Sequence, residues 1–264
     1  MLSQNQIKHI VSLKARKERE ASGHFIAEGH KLVAELVKSS FVVKEVYASA
    51  GWIVDHLPLM REKRIAAYET LPREMDRISG LSTPSPVLAV VEIPRVSDPD
   101  TAPQYGVSGL TLMLDDIRDP GNMGTIVRIA DWFGIAAVVC SESSVELYNP
   151  KVVQATMGSI ARVPVVYREL KRELELQQGR IPVYGAFLEG ESLYAGPLTE
   201  PAILLIGNES RGISKELEPF VTRRVFIPAY GTHPMGKAES LNASIATAVI
   251  CAEFRRQIQN QTGL

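Results

Sequence analysis

Cysteine is scarce: the 264 residues hold two, Cys140 and Cys251, each inside an apolar segment. Two thiols so placed give neither a zinc-ligand spacing nor a disulfide framework, which points to a reducing compartment, the cytoplasm. No apolar run reaches the roughly 20 residues a membrane-spanning helix needs, so no membrane segment is predicted. The opening stretch MLSQNQIKHIVSLKARKERE lacks the apolar core of a signal peptide. Charge of one sign is also missing, since 29 basic against 30 acidic side chains leave a net −1. That excludes a global field attracting nucleic acid, and any RNA-binding surface has to be a local patch. There is no G-x-G-x-x-G fingerprint and no P-loop lysine motif, so dinucleotide and ATP chemistry lack their usual support. No Ser/His pair has the spacing of a nucleophile and its base. Asp115-Asp116 has no partner ligands, so it reads as a strand end and no metal is predicted.

What is present is the composition of a globular protein, 45% hydrophobic and 22% charged, long enough for one large domain or two ordinary ones. The clearest boundary is PRVSDPDTAPQYGVS, residues 94–108, which carries three prolines and little apolar content. It divides a small α/β domain, 1–93, from a second domain, 109–264. In the first, Gly23–Gly29, Val42–Ala48, Ala66–Tyr68 and Val87–Ile93 read as strands, and His30–Lys38, Trp52–Arg64 and Pro72–Ser79 as helices. The opening segment sets Lys8, Lys14, Arg16, Lys17 and Arg19 against Glu18 and Glu20. It is read either as a solvated helix face or as an arm that contacts phosphates, with Lys14, Arg16 and Lys17 as the candidate RNA contacts. Beyond the linker, strands (Leu110–Leu114, Ala136–Cys140, Val163–Val166, Val183–Phe187, Ile203–Ile206, Val225–Ile227) alternate with helices, among them Thr125–Phe133. That order predicts a mostly parallel sheet covered by helices.

Three glycine-containing loops follow apolar strands in this second domain. One is DDIRDPGNMG, leading to Arg128. Another is Gly207-Asn208-Glu209-Ser210-Arg211-Gly212. The last lies in VFIPAYGTHPMGKAESLNASIATA, Val225 to Ala248, where Glu239-Ser240-Leu241-Asn242 opens a helix that Ser240 or Asn242 can cap. All three can gather at the carboxyl edge of one sheet, where open α/β folds bind ligands.

Read together, these loops resemble the three motifs of the SpoU/TrmH family of RNA ribose 2′-O-methyltransferases, in the SPOUT superfamily. Asp119-Pro120-Gly121-Asn122-Met123-Gly124 with Arg128 and Phe133-Gly134 is similar to motif one. Gly207-Asn208-Glu209 with Gly212 is similar to motif two. Pro234-Met235-Gly236 and Ser240-Leu241-Asn242-Ala243-Ser244 are similar to motif three, with a longer loop, since AYGTHP separates Ile227-Pro228 from Met235. The match covers residues 109–254 in the family's order and spacing. The first domain is similar, more weakly, to the family's small substrate-binding domain, which itself resembles RNA-binding ribosomal proteins.

The resemblance implies a C-terminal SPOUT domain with a deep trefoil knot, a homodimer with its site near the subunit interface, and S-adenosylmethionine as methyl donor. It implies that Gly207, Ile227 and Leu241 hold the donor, largely through backbone groups. Asn122, Arg128, Glu209, Ser240 and Asn242 would form the polar catalytic set. Arg128 is the candidate for activating the ribose hydroxyl; because a guanidinium stays protonated, it does so either oriented by a substrate phosphate or by stabilising the developing alkoxide. Ribosomal RNA is preferred as substrate, with transfer RNA open. A non-catalytic RNA-binding or assembly factor and a base-modifying SPOUT enzyme are the competing readings. The intact polar set speaks against the first, and the GNE and SLN loops against the second.

Overall fold

The computed structural model describes residues 1–94, 108–231 and 239–262. These form two compact units. One comprises residues 1–94 together with 146–162; the other comprises 108–145 with 163–262.

The first unit opens with α1 (Gln4–Ser12), started by a capping box in which Ser3 and Gln6 bond each other's backbone N–H. There follow α2 (Arg16–Ser22), β1 (His24–Glu28), α3 (His30–Lys38), β2 (Val43–Ala48), α4 (Ala50–Glu62), β3 (Ala66–Glu69), α5 (Pro72–Ile78) and β4 (Val87–Glu92). The four strands pair in the order β1-β4-β2-β3, antiparallel except for the β2–β3 pair. Ile7, Ile10 and Leu13 pack with Ile26, Tyr47, Met75, Ile78, Leu88 and Val90 in one core. A later segment, carrying α7 (Pro150–Thr156), completes this unit. Its Glu146 accepts two hydrogen bonds, at 2.9 and 2.8 Å, from the buried Arg19 guanidinium, whose Nη1 donates to the Leu13 and Lys14 carbonyls. An arginine only 2% exposed is tolerable because its charge and most of its donors are matched in this way.

The second unit contains β5 (Leu110–Leu114), α6 (Pro120–Trp132), β6 (Ala137–Cys140), β7 (Val165–Tyr167), α8 (Leu170–Gln177), β8 (Val183–Ser192), β9 (Ala202–Ile206), β10 (Arg223–Phe226) and α9 (Ala243–Thr262). Its six strands are parallel throughout, ordered β10-β8-β9-β5-β6-β7. Alternating strand residues point to opposite faces. One face puts Met113, Val139, Ile203 and Leu205 into a core with Leu170 and Leu174 of α8. On the other, Cys140 Sγ meets Met123 Sδ of α6 at 4.0 Å. Helix α6 packs against α9.

The expected helix Trp52–Arg64 runs from Ala50 to Glu62, and two helix starts beside the glycine-containing loops also differ from those expected. Helix α6 begins at Pro120, not Thr125, because Asp119 caps it by accepting from the Asn122 N–H at 2.7 Å and Pro120 takes the first helical position. Asn122 therefore sits in a helical first turn. Helix α9 begins at Ala243, later than Glu239, and Asn242 caps it through bonds from the Ser244 and Ile245 N–H groups.

Candidate active site

The register of the parallel sheet assembles the site. Leu114 lies beside Ile206, so β5 and β9 end together and the loops that leave them are neighbours. The Asp115 N–H continues the ladder by donating to the Ile206 carbonyl at 2.9 Å. Asp115, 5% exposed, accepts from the N–H and hydroxyl of Ser214 at 2.7 and 2.5 Å and so pins the far end of the second loop. Both aspartates are engaged by protein groups, and no cluster of three or more metal-ligating side chains occurs among the described residues.

The second loop is tight. Asn208 and Gly212 exchange two backbone hydrogen bonds, 3.0 and 2.9 Å. Gly207 lies directly beneath this closure: a Cβ there would fall 2.2 Å from both Gly212 C and Ile213 N. The loop's own backbone, before any ligand, requires glycine at this position.

Three of the five expected polar residues meet in one hydrogen-bonded chain. Asn122 Nδ2 donates to Glu209 Oε1 at 2.8 Å, and Asn242 Nδ2 donates to Asn122 Oδ1 at 2.8 Å. Asn242 Oδ1 then accepts from the N–H and hydroxyl of Ser244 at 2.9 and 2.7 Å. Chemistry fixes the direction of this chain. An ionised carboxylate only accepts, so Asn122 must turn its amide nitrogen to Glu209 and its oxygen to Asn242. Asn242 must then present its nitrogen to Asn122, leaving its oxygen for the start of α9. Donors thus run from Ser244 toward Glu209, and the three loops are tied by side chains that the sequence separates by 87 and 120 positions.

Arg128 and Ser240 stand apart from this chain. Arg128 is exposed on α6, and its guanidinium makes no hydrogen bond or ion pair among the described residues. At about 100° per residue, it lies roughly a third of a turn around the helix from the buried Asn122. Ser240 is likewise exposed, and Asn242 provides the cap that either residue was expected to supply.

The expected donor-binding residues lie at the same edge. Gly207 follows β9, Ile227 follows β10, and Leu241 precedes α9. Among the described residues, no hydrogen bond is made to the main chain of Gly207, Ile227 or Leu241. Open backbone donors and acceptors at a strand edge fit a small polar ligand held through main-chain groups. Met235 and Gly236 lie outside the described residues.

In the first unit, the expected RNA contacts are mostly engaged. Lys14 Nζ donates to the Ser79 carbonyl at 2.7 Å. Arg16 pairs with Glu20 at 2.6 Å and approaches Glu146 at 3.9 Å. Lys17 is exposed and makes no contact with an acid among the described residues.

Comparison with known proteins gives a consistent picture. Residues 109–252 match the SpoU rRNA Methylase family, and residues 4–89 match the MRM3-like substrate binding domain. The chain is 30% identical to the Bacillus subtilis 23S rRNA (guanosine(2553)-2′-O)-methyltransferase RlmP over 252 residues, 95% of this chain and 96% of that protein. A TrmH-family structure from Porphyromonas gingivalis is 42% identical, with a TM-score of 0.81, covering 97% of this chain and 99% of its own. An AdoMet-bound rRNA methyltransferase from Sinorhizobium meliloti superposes with a TM-score of 0.82 at 27% identity, covering 97% and 96%.

Proposed function

The chain belongs to the SpoU rRNA methylase family, and from that premise we propose that it transfers a methyl group from S-adenosylmethionine to a ribose 2′-hydroxyl of ribosomal RNA. The observation that carries this reading is the chain Ser244–Asn242–Asn122–Glu209, which joins all three family motifs at the edge where parallel strands end. Ribosomal RNA is favoured over transfer RNA by the named activity of RlmP.

S-adenosylmethionine, when bound, supplies an already activated methyl group, so the protein's work is orientation and help with one proton. Main-chain groups of Gly207, Ile227 and Leu241 hold the donor. Asn122 and Asn242 keep the Glu209 carboxylate in place through the directed chain, and its second oxygen is left to meet the acceptor nucleotide. Arg128, exposed and unpaired among the described residues, offers its guanidinium to a substrate phosphate or to the oxygen that becomes negative as the proton leaves. Ser240 borders the same edge and completes the polar set.

The remaining features of the proposal are those that the family resemblance implies. Residues 1–93 serve as the RNA-binding domain, where Lys14, Arg16 and Lys17 contribute phosphate contacts; 94–108 is a linker; 109–264 is the methyltransferase domain with its trefoil knot. The protein acts as a cytoplasmic homodimer. Exposed Trp132 at the end of α6, and Leu241 and Ile245 about the start of α9, leave apolar side chains open at the two ends of that helix pair, which is in keeping with a partner subunit there. No helix among the described residues is long and apolar enough to cross a membrane. Mapping 2′-O-methyl positions in total RNA from a deletion strain against its parent tests the proposal. A single lost position in ribosomal RNA is expected; loss in transfer RNA, or no loss, opposes it.

A further inference from the structure

Beside the proposed catalytic chain lies an arrangement that it does not use. Asp116 has a left-handed backbone, φ +57°, unusual for a residue other than glycine. Its side chain, 10% exposed, lies between two arginines that are largely in solvent, Arg118 at 65% and Arg211 at 66%. Arg118 Nε donates to Asp116 Oδ1 at 2.9 Å, and Arg211 Nη2 donates to Oδ2. Asn208 Nδ2 donates to the Asp116 carbonyl at 2.8 Å and to Oδ2 at 3.3 Å. Asn208 Oδ1 accepts from the Ser210 and Arg211 N–H groups at 3.0 and 3.1 Å, which shapes the turn that carries Arg211.

One carboxylate cannot neutralise two guanidiniums, so these three side chains alone carry a net positive charge, set among the carboxylates of Asp115, Asp119 and Glu209 in the same two loops. Nor does it use their donors: each arginine has five N–H groups and gives Asp116 one bond. The position is fixed as well. Arg118 immediately precedes Asp119, the cap that seats Asn122, and Arg211 follows Glu209 by two residues. Asn208, which orients Asp116, is the neighbour of Glu209. Besides the Asp115–Ser214 bonds at its far end, the second loop is therefore joined to the first by Asn122–Glu209 and by Asp116 with Asn208 and Arg211.

We infer that Arg118 and Arg211, preset by Asp116, grip phosphates of the RNA chain next to the target nucleotide and so position its ribose at the Asn122–Glu209 edge. Planar guanidiniums with free paired donors match phosphate oxygens, and phosphate contacts set register without reading sequence. The inference rests on the methyltransferase reading above.

The test uses the full-length protein with Arg118→Gln, Arg211→Gln, the double variant, and the double lysine variant. Binding to rRNA from a strain lacking the gene is measured across a salt series, beside single-turnover methyl transfer and S-adenosylmethionine calorimetry. Each lost phosphate contact should flatten the slope of log affinity against log salt by about 0.7 for single-stranded RNA, so roughly 1.4 for the double glutamine variant. Transfer at subsaturating RNA should fall in step with affinity, donor affinity should hold, and the lysines should restore the slope. An unchanged slope and RNA affinity in the double glutamine variant would overturn the inference and leave the methyltransferase reading intact. Equal loss of donor binding would also overturn it, by making the pair a structural clamp. A wild type that transfers no methyl would instead remove the underlying function and this inference with it.

Discussion

Replacing Gly207 by alanine is the most sharply defined perturbation the site offers. The new Cβ would sit 2.2 Å from Gly212 C and Ile213 N and 2.4 Å from Gly212 O. Ordinary contact needs about 3.5 Å, so the overlap is roughly 1.3 Å. The obstructing atoms are backbone, which cannot swing aside as a side chain can. Relief requires opening the Asn208–Gly212 bridge, whose two hydrogen bonds measure 3.0 and 2.9 Å. Two lost bonds at about 1 kcal/mol each, added to about 1–3 kcal/mol for overpacking, give a cost of roughly 3–5 kcal/mol. The opening should also carry Glu209 away from Asn122. Urea denaturation measures the cost, and amide hydrogen exchange at Asn208 and Gly212 locates it. Calorimetry with S-adenosylmethionine should show weakened binding even though the methyl group added is small. A variant with wild-type stability and full protection at both amides would refute this packing argument. Loss of donor affinity at wild-type stability would mean that glycine is required by the ligand alone.

Other substitutions probe separate parts of the account. Asn122→Ala removes both central bonds of the side-chain chain and should cut single-turnover transfer by about 3–4 kcal/mol of barrier, the usual loss for one preorganised group, while donor affinity stays within a fewfold. Arg128→Ala should abolish transfer with near-normal donor calorimetry; near-normal transfer would remove it from the catalytic set, and lost donor affinity would make it a structural residue. His24 has its imidazole pushed below the ordinary 6.5 by burial first and then by His9 and Lys44. The unfolded chain therefore binds the extra proton more readily, so stability of the first unit should fall as pH drops below 6.5, and His24→Gln should blunt that fall in parallel denaturation curves. Burial pushes the Cys140 thiol up, and Cys251 up to about 12 against the opposing Arg255 charge; iodoacetamide at pH 8 should label neither until the protein unfolds.

Much of the architecture was legible in local pattern. Continuous apolar runs such as LTLML and AILLI lie in strands buried on both faces, as a parallel sheet demands. The three loops were recognisable because each follows such a run and carries glycine. What local pattern could not supply was pairing over distance. Nothing near Asn122 announces that its amide meets Glu209, or that Asn242 completes the chain. The basic N-terminal segment shows the same limit. Composition counts Arg16 and Arg19 as free cations, whereas Glu20 and Glu146 engage them, and Glu146 is 127 positions from Arg19. The start of α6 was missed for a different reason: the DPGN turn residues read as loop, yet Asp as a cap followed by Pro at the first position is also how a helix begins. Asp116 read only as a strand end, because its left-handed backbone and its two arginines are set by tertiary partners.

The central claim is that the methyl group goes to a ribose oxygen. A 2′-O-methyl group removes the nucleophile that alkali uses to cleave the adjacent phosphodiester. Purified protein, methyl-labelled S-adenosylmethionine and unmethylated rRNA should therefore yield label in alkali-resistant dinucleotides, and the Asn122→Ala protein should yield almost none. Label recovered in mononucleotides would place the methyl on a base and contradict the account, and no incorporation into any RNA would contradict it altogether.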